Sequence, residues 1–193
     1  IKFAEHFYPE LIPHLSSCKS PQQMFGALAK TYYPEQANLD PAKIVSVSIM
    51  PCTAKKFEAQ RPEMHSSGHR DVDYVLTTRE IACMIQEAGI DFAALKDEPA
   101  DNLMGAYSGA GTIFGATGGV MEAALRTAHK VIKGEELASI DILPVRGTTG
   151  IRAASIDIGK LNLGVAVAHG LANARQLVEE VKTGKSPYHF IEI

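Results

Sequence analysis

The stretch from Ile44 to Glu58, IVSVSIMPCTAKKFE, constrains this chain more than any other. Ile44, Val45, Val47 and Ile49 interleave with two serines, which is the composition of a short β-strand. Met50-Pro51 ends it, because proline brings no N–H to a ladder and biases the residue before it towards extended backbone. Cys52 follows at once, and Thr53, Ala54, Lys55 and Lys56 suit the first turn of a helix or a tight loop. The spacing therefore predicts a thiol at the carboxyl end of a buried strand, where open α/β sheets place their ligand sites. Neighbouring ammonium groups favour a thiolate, the form that binds metals and attacks electrophiles. A small buried hydrophobe beside two solvated lysines fits the same residues equally well.

The rest of the composition narrows the function classes. With 193 residues, 46% of them hydrophobic and 21% charged, the chain suits a globular fold that is one domain or part of a larger one. A net charge of −3 argues against nucleic acid or an anionic membrane as the main partner. No apolar run is long enough to span a bilayer, and the amino end lacks a signal-peptide pattern, so a cytoplasmic location is expected, with the periplasm left open. Cys18, Cys52 and Cys83 are too few and too scattered for a disulfide framework or a self-contained zinc site. His65 and His69 share i, i+4 spacing, but Ser66-Ser67-Gly68 between them predicts a solvated loop.

Read in order, Lys2–Tyr8 is the tail of a helix closed by Pro9, and His14–Lys19 is irregular. Ser20 is an N-cap with Pro21 at the first helical position; Met24, Phe25, Leu28 and Tyr32 then form an apolar stripe expected to pack in the core. Asn38–Pro41 is turn chemistry. A second strand is expected around Val72–Leu76, then a helix capped by Thr78, with Ile81, Met84, Ile85 and Ala88 on one face and Gly89 as its stop; Cys83 falls off that face. Asp91–Ala106 reads as a loop with a short helix.

Ser108–Gly119 carries glycines at 109, 111, 115, 118 and 119 and leads into a helix through Val120, Ala124, Ala128 and Val131 that ends near Gly134. A glycine-rich loop at a helix N-terminus is a natural anion site. The stretch is neither a Walker phosphate loop, since no Gly-Lys-Ser/Thr closes it, nor a dinucleotide fingerprint, since its spacing is one residue too long. Strands follow at Ile140–Val145, Ile151–Ile158 and Leu161–Ala168, the last two joined as a hairpin through Gly159-Lys160. A helix then runs through Leu171, Ala174, Leu177, Val178 and Val181 to Gly184, and His189–Ile193 begins a last strand. The fold class predicted is α/β, with mainly parallel sheets flanked by helices and some antiparallel pairing near the end. The strand end at Cys52 and the glycine-rich helix start are expected to face one cleft. Both ends of the chain fall inside elements, so it reads as a segment cut from a longer protein.

MPCTAKKFE (Met50–Glu58) and FGATGGVMEAALR (Phe114–Arg126) resemble the second cysteine signature and the glycine-rich signature of the [FeFe]-hydrogenase catalytic domain. YPELIPHLSSCKSPQQ (Tyr8–Gln23) and the closing YHFIEI resemble the same family, so the likeness covers essentially the whole chain. It implies an internal segment, residues 1–193, of the two-lobed iron hydrogenase large-subunit catalytic domain, truncated at both ends. The activity implied is reversible H₂ oxidation and proton reduction. The cofactor implied for the parent is the H-cluster, a [4Fe–4S] cluster joined to a diiron unit with CO, cyanide and dithiolate ligands. By the same resemblance Cys52 is one of the cluster cysteines, and Lys55 donates to a cyanide. Met50, Pro21 and Gln22 line the diiron pocket, Phe114 and Gly115 form its wall, and Ser16 lies on the proton path. Each has a plainer counterpart: Met50 as strand core, Ser16 as a loop cap, Lys55 as a solvated charge.

The family's first and third signatures, with the remaining cluster cysteines, are not in this chain. Cys18 and Cys83 occupy positions that do not replace them. A cluster held by about four thiolates needs more than Cys52, so the segment alone is expected to bind no cluster and to turn over no H₂. Its expected partners are the flanking parts of the same catalytic domain and a ferredoxin or other electron carrier. Two relatives of different role are weighed beside this: an H₂-sensing regulatory protein and an iron–sulfur assembly factor. Met50 and Lys55 speak against the assembly factor, because a diiron unit is what they would be kept to hold.

Overall fold

The structure is a computed structural model and describes residues 1–106, 108–137, 143–144, 150–159 and 161–193. The chain divides into two compact units: residues 10–105, the middle unit, and residues 1–9 with 106–193, the terminal unit. Helix α1 (Lys2–Phe7) belongs to the terminal unit. The Phe3 ring lies 5.8 Å from the Arg175 guanidinium, and the Tyr8 ring 5.1 Å from the Lys182 ammonium, which ties α1 to the C-terminal helix by cation–π contacts.

In the middle unit, α2 (Pro21–Ala29) starts where the sequence predicts: Ser20 accepts the Gln23 N–H at 3.3 Å and Pro21 takes the first position. Next, α3 (Tyr32–Ala37) ends on Asn38 at φ 53°, and the Asp40 carboxylate accepts the Ala42 N–H at 3.0 Å to open a 3-10 turn over Pro41–Lys43. Then come β1 (Val47–Ile49), α4 (Ala54–Ala59), β2 (Tyr74–Leu76) and α5 (Thr78–Glu87). β1 and β2 pair in parallel, Val47 opposite Tyr74 and Ile49 opposite Leu76. Ala59, Val72 and Val75 form the core, with Met50 packed against it.

Several expectations change here. β1 is shorter than the predicted strand, because the 3-10 turn ends just before Ile44 and the Ser46 N–H is taken by the Asp73 carboxylate at 2.7 Å. Nor is it buried: Val47 and Ile49 are 53% and 54% exposed, and Val45 just before it 62%. Branched residues say that a strand wants neighbours, and among the described residues β1 pairs with β2 alone. The stripe Met24, Phe25, Leu28 and Tyr32 is likewise about half exposed, and α2 buries Gln22, Gln23 and Gly26 instead. Gly26 decides the face, since a Cβ there would stand 2.5 Å from the Asp71 carbonyl oxygen. Lys30, also buried, donates from Nζ to the Arg70 carbonyl and the Asp73 carboxylate, both at 2.6 Å. The cap of α5 is Thr77, one residue before the predicted Thr78. Thr77 Oγ1 accepts the Glu80 N–H at 3.2 Å and Glu80 accepts the Thr77 N–H at 2.7 Å, a complete capping box.

In the terminal unit, part of the expected glycine-rich loop is a short helix, α6 (Gly109–Ile113), followed by α7 (Gly119–Lys133), which Gly134 ends at φ 78°. The face that α7 buries carries Met121, Leu125 and His129, whereas Val120 and Val131 are exposed. A four-stranded mixed sheet follows: β3 (Leu143–Pro144), β4 (Ile151–Ile158), β5 (Leu161–Ala168) and, after α8 (Leu171–Lys182), β6 (Phe190–Glu192). The rest of the predicted strand Ile140–Val145 lies outside the described residues, as does Lys160 of the hairpin turn. β3 and β5 both run antiparallel to β4, and β6 joins β5 in parallel, Val167 opposite Glu192. Alternation along β5 sends Val165 and Val167 to Met121 and Leu125 of α7, and Ala166 and Ala168 to Leu177 of α8. A helix on each face of a sheet is the α/β arrangement the sequence predicts. Each fully buried Met, Leu or Val in it contributes about 1.5–3 kcal/mol.

Candidate functional site

The strand-end thiol is built locally as expected. The Met50 N–H donates to the Leu76 carbonyl at 2.9 Å, the last bond of the ladder before Pro51. Beyond it the Cys52 carbonyl accepts the Lys55 N–H at 3.3 Å and the Thr53 carbonyl accepts the Lys56 N–H at 3.1 Å, which turns the chain into α4. Cys52 is a free, exposed thiol. The two lysines after it point their ammonium groups to carboxylates: Lys55 Nζ to Glu58 at 3.2 Å, and Lys56 Nζ to Glu80 at 2.8 Å and to the Val75 carbonyl at 2.8 Å. The bond to Lys56, reinforced by the Thr77 N–H and hydroxyl, lowers the Glu80 pKa to about 2.

Beside that strand end the middle unit holds a mainly apolar cavity of about 400 Å³. Pro21 and Gln22 of α2 line it together with Met50, so three of the predicted pocket residues share one wall space; Phe25, Ser48 and Val72 line it too. Gln22, nearly fully buried, is clamped: its Oε1 accepts from Ser48 Oγ at 2.8 Å, and its Nε2 donates to the Lys55 carbonyl at 3.4 Å. Ser20 donates to Glu58 while capping α2, and Glu58 in turn holds Lys55. Glu58 and Ser48 thus fix Lys55 and Gln22 in place, and sequence reasoning did not single them out. The i, i+3 spacing of Lys55 and Glu58 on α4 was the available signal.

Ser16 is exposed, and its Oγ accepts the Cys18 N–H at 3.2 Å, the geometry of a loop cap. His65 and His69 lie in a loop, as predicted. That loop is gathered on buried Asp71, whose carboxylate accepts the Ser66 and Ser67 N–H groups, both at 3.0 Å, and faces Lys19 Nζ at 3.4 Å. Burial pushes the Asp71 carboxyl up, but these donors outweigh it and hold it below the usual range. Phe114 and Gly115 belong to the terminal unit; Phe114 caps the C-terminal end of α6, and the Gly115 N–H donates to the Thr112 carbonyl at 3.2 Å.

Together these features define an α/β domain that presents a thiol at a strand end next to an apolar pocket walled by Pro21, Gln22 and Met50. The comparisons give the family. All of residues 1–193 match the family model described as iron only hydrogenase large subunit, C-terminal domain. The chain is 56% identical over 191 residues to the periplasmic [Fe] hydrogenase large subunit of Nitratidesulfovibrio vulgaris, covering 99% of this chain and 45% of that protein. It is 51% identical over 193 residues to iron hydrogenase 1 of Clostridium pasteurianum, covering 100% of this chain and 34% of that protein. A solved apo [FeFe]-hydrogenase from Chlamydomonas reinhardtii superposes with a TM-score of 0.83 at 40% identity, over 99% of this chain and 55% of that one. A cytosolic iron–sulfur assembly component 3 from Pongo abelii is 36% identical over 188 residues, 95% of this chain and 40% of that protein. The chain belongs to the iron-only hydrogenase large-subunit family. It spans less than half the length of these curated hydrogenases.

The [FeFe]-hydrogenases of this family carry an H-cluster. The donors described here go part of the way towards one. Cys52 offers a single cysteine sulfur, where an iron–sulfur cluster takes about four. Among the described residues no group of three or more His, Cys, Asp or Glu side chains is placed to hold a metal ion.

Proposed function

We propose that this chain is the part of an [FeFe]-hydrogenase catalytic domain that contributes one cluster cysteine, Cys52, and one wall of the diiron pocket, Pro21, Gln22 and Met50. The observation that supports this most is the placement of those three residues around one cavity beside the Cys52 strand end. The 56% identity to a hydrogenase, against 36% to an assembly component, favours turnover over an assembly role. In this reading the whole protein splits H₂ into two protons and two electrons, or runs the reverse, and exchanges electrons with a ferredoxin-type carrier. The cluster supplies the redox chemistry when bound; this chain's residues hold, orient and shield it. Lys55, kept in place by Glu58, donates towards an anionic ligand. Phe114 and Gly115 contribute further wall, and Ser16 lies on the proton path. The flanking parts of the same domain bring the other thiolates.

Two preparations test this. In the whole protein, Cys52→Ser is expected to lower cluster iron and abolish H₂ evolution, while Cys83→Ser leaves both unchanged. The 193-residue chain alone is expected to bind no stoichiometric iron and evolve no H₂. A whole protein that keeps full iron without Cys52, or an isolated chain that binds iron stoichiometrically and is active, overturns the proposal.

A further inference from the structure

The glycine-rich helix start was expected to take an anion, and the chain itself provides one. The Glu192 carboxylate on β6 accepts the Gly118 N–H through one oxygen at 3.2 Å and the Met121 N–H through the other at 2.7 Å. These bonds span 74 and 71 residues of sequence. N–H groups in the first turn of a helix have no partner within it, so a carboxylate there satisfies two donors and meets the positive end of the helix dipole. The surroundings leave no slack. Gly118 sits at φ 85°, and a Cβ on it would come within 3.0 Å of Val167 on β5, the residue paired with Glu192. A Cβ on Gly119 would stand 1.7 Å from the Ile113 carbonyl oxygen. The turn from Phe114 to Gly119 is thus pressed between α6 and the sheet, and Glu192 closes it from the edge strand.

We infer that Glu192 is a positioning residue: a built-in anion that locks the glycine-rich turn, and with it Phe114 and Gly115, onto the sheet. The turn is a packing device whose anion site is already filled by the chain's own carboxylate. This goes beyond the proposed function and does not depend on it, because exchange at the Gly118 and Met121 amides reports their bonds to Glu192 and not the redox chemistry.

The test is hydrogen exchange at single-amide resolution on the whole protein. In the native protein the Gly118 and Met121 amides are expected to exchange as slowly as interior amides of α7; fast exchange there overturns the inference without any variant having to fold. In Glu192→Gln these two amides are expected to exchange about tenfold faster, the size of losing a helix cap, while α8 amides stay as they were. Glu192→Asp, which keeps the charge near the helix end, is expected to recover part of the protection. Added inorganic phosphate is expected to leave the two amides unmoved in the native protein and to slow them in Glu192→Ala. Unchanged exchange in Glu192→Gln, or a response of the native turn to phosphate, overturns the assignment.

Discussion

The space beyond a missing Cβ separates glycines that look alike in sequence. Gly109 and Gly119 both start helices in one glycine-rich run, yet a Cβ at Gly109 meets nothing within 4 Å and a Cβ at Gly119 meets a carbonyl oxygen at 1.7 Å. Gly119→Ala is expected to destabilise the protein by at least about 1–3 kcal/mol, the cost of overpacking against backbone that cannot rotate away. Gly109→Ala is expected to be neutral or slightly stabilising; thermal melts of the two variants decide between them. Asp71 is the polar counterpart, a carboxylate whose partners are backbone N–H groups and Lys19. Asp71→Asn loses an acceptor in a buried position, so about 1–3 kcal/mol of destabilisation is expected by denaturant titration. An unchanged midpoint would show that the 66–71 loop is held by something else. Neither outcome is written in residue type, because both depend on which backbone lies opposite.

At the level of helices and strands, legibility followed how far an element's partners lie along the chain. β4 and β5 appear with the predicted bounds, since a hairpin draws its register and its partner from adjacent residues. The start of α2 was equally readable, because Ser20, Pro21 and Gln23 are neighbours. The face that α2 buries was not, since Gly26 and Lys30 choose it by meeting Arg70, Asp71 and Asp73 some forty residues on. The capping box of α5 leads to a pH dependence. Glu80 has its pKa lowered from 4.5 to about 2, first through Lys56 and then through Thr77. A carboxyl with a folded value below its unfolded one stabilises above the unfolded value, and that contribution is lost as pH falls from 4.5 towards 2. The melting temperature of Glu80→Gln should therefore lie below that of the native protein at pH 6, and the gap should close by pH 2–3. Because Glu80 is exposed, added salt is expected to narrow the gap at pH 6 as well; a gap independent of pH would refute the pairing with Lys56.

For the whole molecule, the apolar surface that remains open matters most. Val45 just before β1, Val47 and Ile49 on it, and Met24, Phe25 and Leu28 along α2, are exposed side chains of the kind normally covered. The 193-residue chain on its own is accordingly expected to self-associate with rising concentration in sedimentation velocity. Val47→Lys, which places a charge on the strand, should reduce that association. A sharp monomer boundary at all concentrations would count against it.

What could be read from residues alone was local and repetitive: caps, turns, the hairpin, the alternation of strands with helices, and the signatures around Met50-Pro51-Cys52 and Phe114–Gly119. Each depends on side-chain and backbone chemistry within a few residues, which the order of amino acids specifies outright. Packing settled the rest, because it depends on which distant groups meet. Glu58 holds Lys55, Ser48 fixes Gln22 at the pocket, and Glu192 reaches across more than seventy residues to two amides that no local residue satisfies. A hydrogen bond or a close contact of that kind has no periodicity for a sequence pattern to reveal, so its partners become visible only once the chain has folded.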